Sequence, residues 1–203
     1  MSNQHCIEIL ERARKIDQSH YQANPCMTLK RGLEPGDVLL FERNTGDKIA
    51  GILSWLLRQL DGCWDGWGWH MGYVYDILTD GSIVVAEAKI GHGVKLVKYQ
   101  GINSLGEVRV YRWIDNINLS ILENFTLEHL GCAYDLACYF WTGMQLLVRQ
   151  LSGRYIQRIT NDRYTCWELV CDMAQAMGQP LQLTRKYPLI PDMIKVLNGV
   201  RIV

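Results

Sequence analysis

The sequence lacks the excess of positive charge that proteins binding nucleic acids usually carry. Its 21 lysines and arginines balance 21 aspartates and glutamates, so the formal net charge of the 203-residue chain is zero. A protein that neutralises phosphates normally shows a basic excess or a basic patch, and neither is visible along this chain. We therefore expect no nucleic-acid partner.

Long apolar runs are also absent. A membrane-spanning helix requires about 18 or more apolar residues, and the longest candidate, "IAGILSWLLRQL" at 49–60, is shorter. This segment predicts either a buried core helix or a lid in peripheral contact with lipid, and both interpretations stay open. No segment resembles a secretory signal, so we expect no transmembrane segment and a cytoplasmic location, with export by another route still open.

The seven cysteines form no CxxC pair and show no Cys/His spacing typical of zinc sites. An odd number in a chain with this much apolar sequence argues against a disulfide scaffold and favours reduced thiols in a cytoplasm-like compartment. We expect no metal and no cofactor. Most of the cysteines should be small buried hydrophobes, which leaves the question of whether one of them is reactive.

The sequence does contain enough apolar residues for a globular core, with 48% hydrophobic and 21% charged residues. Its length favours one domain with extensions. We predict an N-terminal helix and loop at 1–32, a main domain at 33–180, and a tail at 181–203 that packs on the main domain.

Within the main domain, strand patterns come first and helix patterns second, which predicts an α+β fold. Strands are predicted within 33–42, 70–77, 82–90, 93–99 and 107–113. Helices are predicted at 118–131, at 133–153 with a break near Thr142-Gly143, and at 165–178 with Thr165 as the N-cap.

Cys166 is the strongest candidate nucleophile because it would lie in the first turn of the last helix. There, backbone N–H groups and the helix dipole favour a thiolate, and the same groups can hold an oxyanion. Cys171 lies further into the helix and lacks this advantage. The competing interpretation is a structural cysteine.

His70 begins a strand directly after a loop that contains Trp64, Trp67 and Trp69. Gly72, on the same face of the strand, leaves room beside the imidazole for a substrate or a second side chain. The tryptophans either wall a cleft or fill the core, and a histidine on a strand is also found as a satisfied polar residue.

Glu87 interrupts the apolar segment "IVVAEAKI" and by alternation shares a sheet face with His70. If Asp80-Gly81 forms a two-residue hairpin turn, Val74 faces Glu87. Glu87 then lies four residues along from His70, about 13 Å in flat strands. Twist or a bulge would close part of that gap.

Taken in order, these motifs resemble the permuted papain-like superfamily, and most closely the YiiX/YebB-like branch of NlpC-type cysteine amidases. The resemblance runs from about residue 33 to 178. Its matching residues are Gly36-Asp37, His70 with Gly72, Glu87, Gly131 with Tyr134-Asp135, and Cys166-Trp167-Glu168-Leu169-Val170.

The resemblance implies a circularly permuted papain-like fold, with a small antiparallel sheet or barrel first and the helix of the nucleophile last. It implies that Cys166 attacks a carbonyl, that His70 acts as base and then acid, and that Glu87 orients His70. The related lecithin:retinol-acyltransferase-like enzymes also place a polar partner at the position of Glu87.

The expected reaction is cleavage of a peptide- or isopeptide-type amide bond through a thioester. Two alternatives stay open: an acyltransferase, thioesterase or lipase acting on lipid acyl chains, and a binding module with an idle cysteine. The partner is accordingly a peptide, an amide or an acyl lipid. The candidate substrate-binding residues are Trp67, Trp69, Tyr134, Tyr164 and Trp167.

Three further residues of these motifs have structural alternatives. Trp167 stands where the branch usually has a small serine, so it would narrow the cleft or alter the choice of substrate. Tyr134-Asp135 would line the pocket or cap the following helix, and we favour the cap. Glu168 lies about 200° around the helix from Cys166, so we interpret it as a structural hydrogen-bonding residue.

Overall fold

The computed structural model of the protein describes residues 32–41, 70–106, 108–112, 117–152 and 162–178. These residues form an α+β fold in which a five-stranded antiparallel sheet is followed by helices, as predicted. The strands are β1 (Val38–Phe41), β2 (His70–Ile77), β3 (Ile83–Lys89), β4 (Gly93–Tyr99) and β5 (Val108–Tyr111). They lie in the order β4-β3-β2-β1-β5, and a short 3-10 helix, Ile102–Leu105, connects β4 to β5.

The sheet has apolar side chains on both faces, because successive residues of a strand point to opposite sides. In β3, Val84, Ala86 and Ala88 belong to the hydrophobic cluster that also contains the last helix. Ile83 and Val85 belong to a second cluster on the other face. The faces predicted from alternation are therefore confirmed.

Three helices follow the strands: α1 (Leu119–His129), α2 (Leu136–Ser152) and α3 (Cys166–Ala176). The break predicted near Thr142-Gly143 is wrong, because α2 is continuous over its 17 residues. An interior glycine costs a helix only about 1 kcal/mol, which the rest of a helix this long can offset.

α3 packs on the sheet through its apolar side. Leu169, Val170, Met173 and Ala174 are fully buried and recur at helical spacing. They join Val38, Leu40, Met71 and Tyr73 of the neighbouring strands in one core cluster. This packing fixes the helix of Cys166 against β2, the strand that begins at His70.

The Gly36-Asp37 motif forms the entrance to β1. Arg112 binds the buried Asp37 carboxylate at two oxygens, each at 2.8 Å, and the backbone amide of Glu34 donates to the same carboxylate at 2.8 Å. Gly36 has a positive φ of 86°, and a Cβ there would overlap Ile117. This motif therefore stabilises the fold.

The two-residue turn predicted at Asp80-Gly81 is wrong, and the correction brings Glu87 closer to His70. Ile77 pairs with Ile83 around a turn at 79–81, and a bulge between Val74 and Asp76 shifts the register again. Gly72, rather than Val74, consequently pairs with Glu87. A total shift of two residues keeps every side chain beyond the bulge on its predicted face.

Three predicted segments lie outside the described residues, as does nearly all of the predicted helix and loop at 1–32: the helix at 49–60, the tryptophan-containing loop before His70, and the tail at 181–203. Their predicted structures stay predictions. Among the helices that the structure describes, none has both the length and the apolar character needed to cross a bilayer.

Gly72→Ala should destabilise the fold, because a Cβ at position 72 would lie 2.8 Å from the Ala86 carbonyl oxygen and 2.9 Å from Val85. We expect the free energy of unfolding, measured by urea denaturation, to fall by about 1–3 kcal/mol. Gly32→Ala is the control, since nothing lies within 4 Å of its added Cβ. Equal stability of the two variants would contradict the close approach of β2 and β3.

Candidate active site

The first turn of α3 is held by a reciprocal cap that places Cys166 as the first residue of the helix. The Thr165 hydroxyl accepts from the Glu168 amide at 3.4 Å, and the Glu168 carboxylate accepts from the Thr165 amide at 2.9 Å. This capping box confirms Thr165 as the N-cap and Glu168 as a structural residue.

The starts of α2 and α3 are tied together by an isolated parallel bridge between Tyr134 and Tyr164. The Asp135 amide donates to the Tyr164 carbonyl at 3.1 Å. The Asp135 side chain in turn accepts from the Cys138 amide at 3.0 Å, so it caps α2 as we favoured. The segment preceding Cys166 is therefore anchored from outside its own helix.

His70 and Glu87 meet across β2 and β3. The His70 Nε2 atom lies 2.8 Å from Glu87 Oε2. Because Gly72 pairs with Glu87, the carboxylate is only two residues along from His70, and Gly72 adds no side chain between them. The predicted contact is thus reached through a register that differs from the predicted one.

The Cys166 thiol is also a side-chain hydrogen-bond partner of His70. Since Nε2 faces Glu87, Nδ1 is the ring nitrogen left for the sulfur. Cys166 belongs to the core cluster on the helix side of the sheet, whereas Phe41, beside the His70 ring, belongs to the opposite cluster. His70 is the first residue of β2, and its ring meets Cys166 at this N-terminal end of the strand.

Glu87 has two further partners that the sequence analysis missed. Its side chain is fully buried, Lys89 Nζ lies 2.8 Å from Oε2, and the Tyr99 hydroxyl donates to Oε1 at 2.5 Å. The spacing of Lys89 from Glu87, two residues along one strand, was a usable signal. The contact with Tyr99 depends on the pairing of β3 with β4 and had no such signal.

His70 and Glu87 shift each other's pKa values. Burial works against the charged form of His70, but hydrogen bonds to Cys166 and Glu87 and the charge of Glu87 outweigh it and raise the pKa of His70 to about 9. Burial also works against the Glu87 carboxylate. The charge of Lys89 and the contact with His70 nevertheless lower the pKa of Glu87 to about 2.

This arrangement holds an imidazolium between a carboxylate and a thiol at neutral pH. The thiolate is the nucleophilic form of cysteine. Cys166 is 1% exposed, while the His70 side chain is 19% exposed. A small electrophile would therefore reach the sulfur from the side of the ring.

The remaining predicted substrate-binding residues lie in different surroundings. Trp167 is 2% exposed and packs in the core cluster, and Tyr134 is also buried. Tyr164 is half-buried, and its ring contacts His129 edge-on at 5.1 Å. Trp67 and Trp69 lie outside the described residues, so substrate binding by these five residues stays a prediction.

One group of potential metal ligands is present among the described residues. A ligand atom from each of Asp135, Cys138 and Glu168 lies within 4.8 Å of the others. The Asp135 and Glu168 carboxylates already cap α2 and α3. We therefore assign this group to the structure of the two helix starts.

No family model matches the chain, and no curated protein matches it significantly. The chemistry of the site is accordingly argued from the contacts of Cys166, His70 and Glu87 and from the motifs in the sequence.

The protonation of His70 should depend on Glu87. We expect an NMR titration of the imidazole nitrogens to show a pKa of about 9 in the wild type. The pKa should be lower in Glu87→Gln, because the variant lacks the negative charge. Since the folded pKa exceeds the ordinary 6.5, this contribution to stability is complete below about 6.5 and is lost as the pH rises through about 9.

Asp80→Asn is the matched control for this titration, because it removes an exposed carboxylate from the same hairpin, where Asp80 pairs with Lys98. Its His70 titration should match that of the wild type. A wild-type His70 that titrates near 6.5, or a Glu87→Gln variant identical to it, would contradict the coupling.

Proposed function

We propose that this protein is a cysteine hydrolase that cleaves an amide bond through a thioester on Cys166, with His70 as acid and base and Glu87 as the residue that orients His70. The observation that carries the proposal is that one imidazole contacts both the thiol and the buried carboxylate. The order of the motifs supports the same chemistry through its resemblance to the permuted papain-like, NlpC-type amidases.

In the first half of the proposed reaction, the Cys166 thiolate attacks the carbonyl carbon of the amide and a C–S bond forms. The electron pair of the carbonyl moves to its oxygen. When the intermediate collapses, the C–N bond breaks and His70 gives its proton to the departing nitrogen. An amine leaves, and the acyl group stays on the sulfur as a thioester.

In the second half, neutral His70 takes a proton from water, whose oxygen attacks the thioester carbon. Collapse breaks the C–S bond, releases a carboxylic acid and restores the thiolate beside the imidazolium. An amine or alcohol in place of water would make the same site an acyltransferase. The choice of acceptor is therefore what separates these two activities.

The first turn of α3 offers backbone donors for the oxyanion. The Cys166 amide lies in the first turn of a helix, where N–H groups have no partner within the helix. The Glu168 amide is used by Thr165 and the Leu169 amide by the Thr165 carbonyl. We assign the Cys166 amide as one of two donors that face the developing negative charge, and the second donor is not assigned.

Glu87 is suited to orientation and not to proton transfer. Three donors surround its carboxylate, and its pKa of about 2 keeps it ionised near neutral pH. A carboxylate held in this state fixes the tautomer and rotation of a catalytic imidazole and stabilises its protonated form.

Cys166 should react with iodoacetamide over a wider pH range than the other cysteines. An ordinary thiol with a pKa of about 8.5 reacts roughly fifty-fold faster at about pH 8.5 than at about pH 6.5, because its thiolate fraction rises. We expect the rate at Cys166, followed by peptide mass spectrometry, to change by less than about five-fold over that interval.

His70→Ala separates this effect from slow access to a buried sulfur. If the imidazolium sustains the thiolate, the variant should regain the steep pH dependence of an ordinary thiol. Labelling limited by access would instead saturate with iodoacetamide concentration and would stay flat in His70→Ala. Uniform, steep labelling of all seven cysteines would favour the idle binding module.

Incubation with substrate pools tests the acyl intermediate directly. We expect intact-mass and peptide mass spectrometry to detect an acyl adduct on Cys166 after exposure to amide-linked peptides, with loss of the adduct in Cys166→Ala. Cys171→Ala is the matched control: this cysteine lies on the same helix, and burial raises its pKa, which disfavours its thiolate.

The acyl donor that forms the adduct decides between the amidase and the acyltransferase or thioesterase. An adduct formed from phospholipid or acyl thioester, and not from amides, would replace the amidase by a lipid acyltransferase or thioesterase. Absence of any adduct together with ordinary labelling of Cys166 would overturn the enzymatic proposal.

A further inference from the structure

We propose that Tyr99 is a positioning residue that acts through Glu87, holding the carboxylate in the orientation that His70 requires. The inference rests on the proposed function, since it assigns a role to Tyr99 in the same site. It adds a fourth residue to the Cys-His-Glu group, one that lies on β4 and bonds Glu87.

The contacts of Tyr99 provide the first argument. Its hydroxyl donates to Glu87 Oε1 at 2.5 Å, and Tyr99 is 5% exposed. Its ring centroid lies 6.1 Å from that of Phe41, and the Phe41 ring lies 5.5 Å from the His70 ring. Tyr99 is thus anchored in the packing on the same side of the sheet as the imidazole.

The division of the two carboxylate oxygens provides the second argument. Both His70 Nε2 and Lys89 Nζ lie 2.8 Å from Oε2, so these two groups compete for one oxygen. Among the residues that the structure describes, the Tyr99 hydroxyl is the donor to Oε1, and it fixes the rotation of the carboxyl group about its last bond. Without that donor, the carboxylate is free to turn toward Lys89 and away from the ring.

The charges around His70 show why a neutral donor suits this position. Glu87 and Lys89 approach the ring from β3, and the Cys166 thiol approaches it from α3. The Tyr99 hydroxyl lies behind Glu87 on β4. The neighbour from β1 is the uncharged Phe41. A second cation at Oε1 would disfavour the imidazolium through repulsion. A tyrosine hydroxyl holds the carboxylate without adding charge.

Tyr99→Phe tests the role, because it keeps the packed ring and removes only the hydroxyl. Tyr73→Phe is the matched control: the Tyr73 side chain is also buried, and its hydroxyl bonds Thr126 Oγ1 at 2.9 Å instead of Glu87. The readouts are the pH profile of Cys166 alkylation, the NMR titration of His70, and the urea midpoint.

We expect Tyr99→Phe to lower the rate of Cys166 alkylation at about pH 6.5 by roughly ten-fold, a loss of the size that small misplacements in catalytic sites produce. The variant should also lower the pKa of His70. Tyr73→Phe should leave both within about two-fold of the wild type, although both variants lower the urea midpoint. In a Glu87→Gln background, Tyr99→Phe should have no further effect on alkylation, since Tyr99 acts through Glu87.

If the wild type shows His70-dependent alkylation but Tyr99→Phe behaves like Tyr73→Phe, the positioning role is overturned and the proposed function stands. If the wild type shows no His70-dependent alkylation, both are overturned. Should Tyr99→Phe fail to fold, site-specific 3,5-difluorotyrosine at position 99 keeps the ring and hydroxyl. The rate should then fall as that hydroxyl ionises beside Glu87, and a profile identical to wild type would overturn the role.

Discussion

A buried carboxylate, Glu87, is the constraint on which this end of the sheet depends. A charge removed from water is costly unless donors replace its hydration, and here the donors come from His70, Lys89 and Tyr99. These residues belong to three adjacent strands, β2, β3 and β4. The interaction that keeps the carboxylate ionised therefore also fixes the relative positions of the strands that present the imidazole.

The element types and the faces of the strands were predictable because they follow from local patterns. Alternation in "IVVAEAKI" placed Glu87 on the face of His70, and Thr165 with Glu168 three residues later is a capping-box signature. The hairpin register was not predictable. Asp-Gly fits both a two-residue turn and a three-residue turn with glycine last, and nothing in "VYD" marks the bulge at Tyr75.

The contacts between distant segments are the part that sequence patterns leave open. Tyr99 reaches Glu87 although Ile83, and not Glu87, is its partner in the β3–β4 ladder, so its role depends on the length and direction of one side chain. Cys166 and His70 lie in different core surroundings and meet at the end of β2. Periodicity along either segment carries no information about that meeting.

The bridge between Tyr134 and Tyr164 closes a loop that contains all of α2. Both ends of this loop are held by backbone hydrogen bonds near the start of α3, and Cys138 in the first turn of α2 packs in the same core cluster as Cys166. The parts of the segment that lie away from these contacts can therefore change in length or sequence while Cys166 keeps its position at the start of α3. This loop is accordingly where the fold tolerates change at the least cost to the position of Cys166.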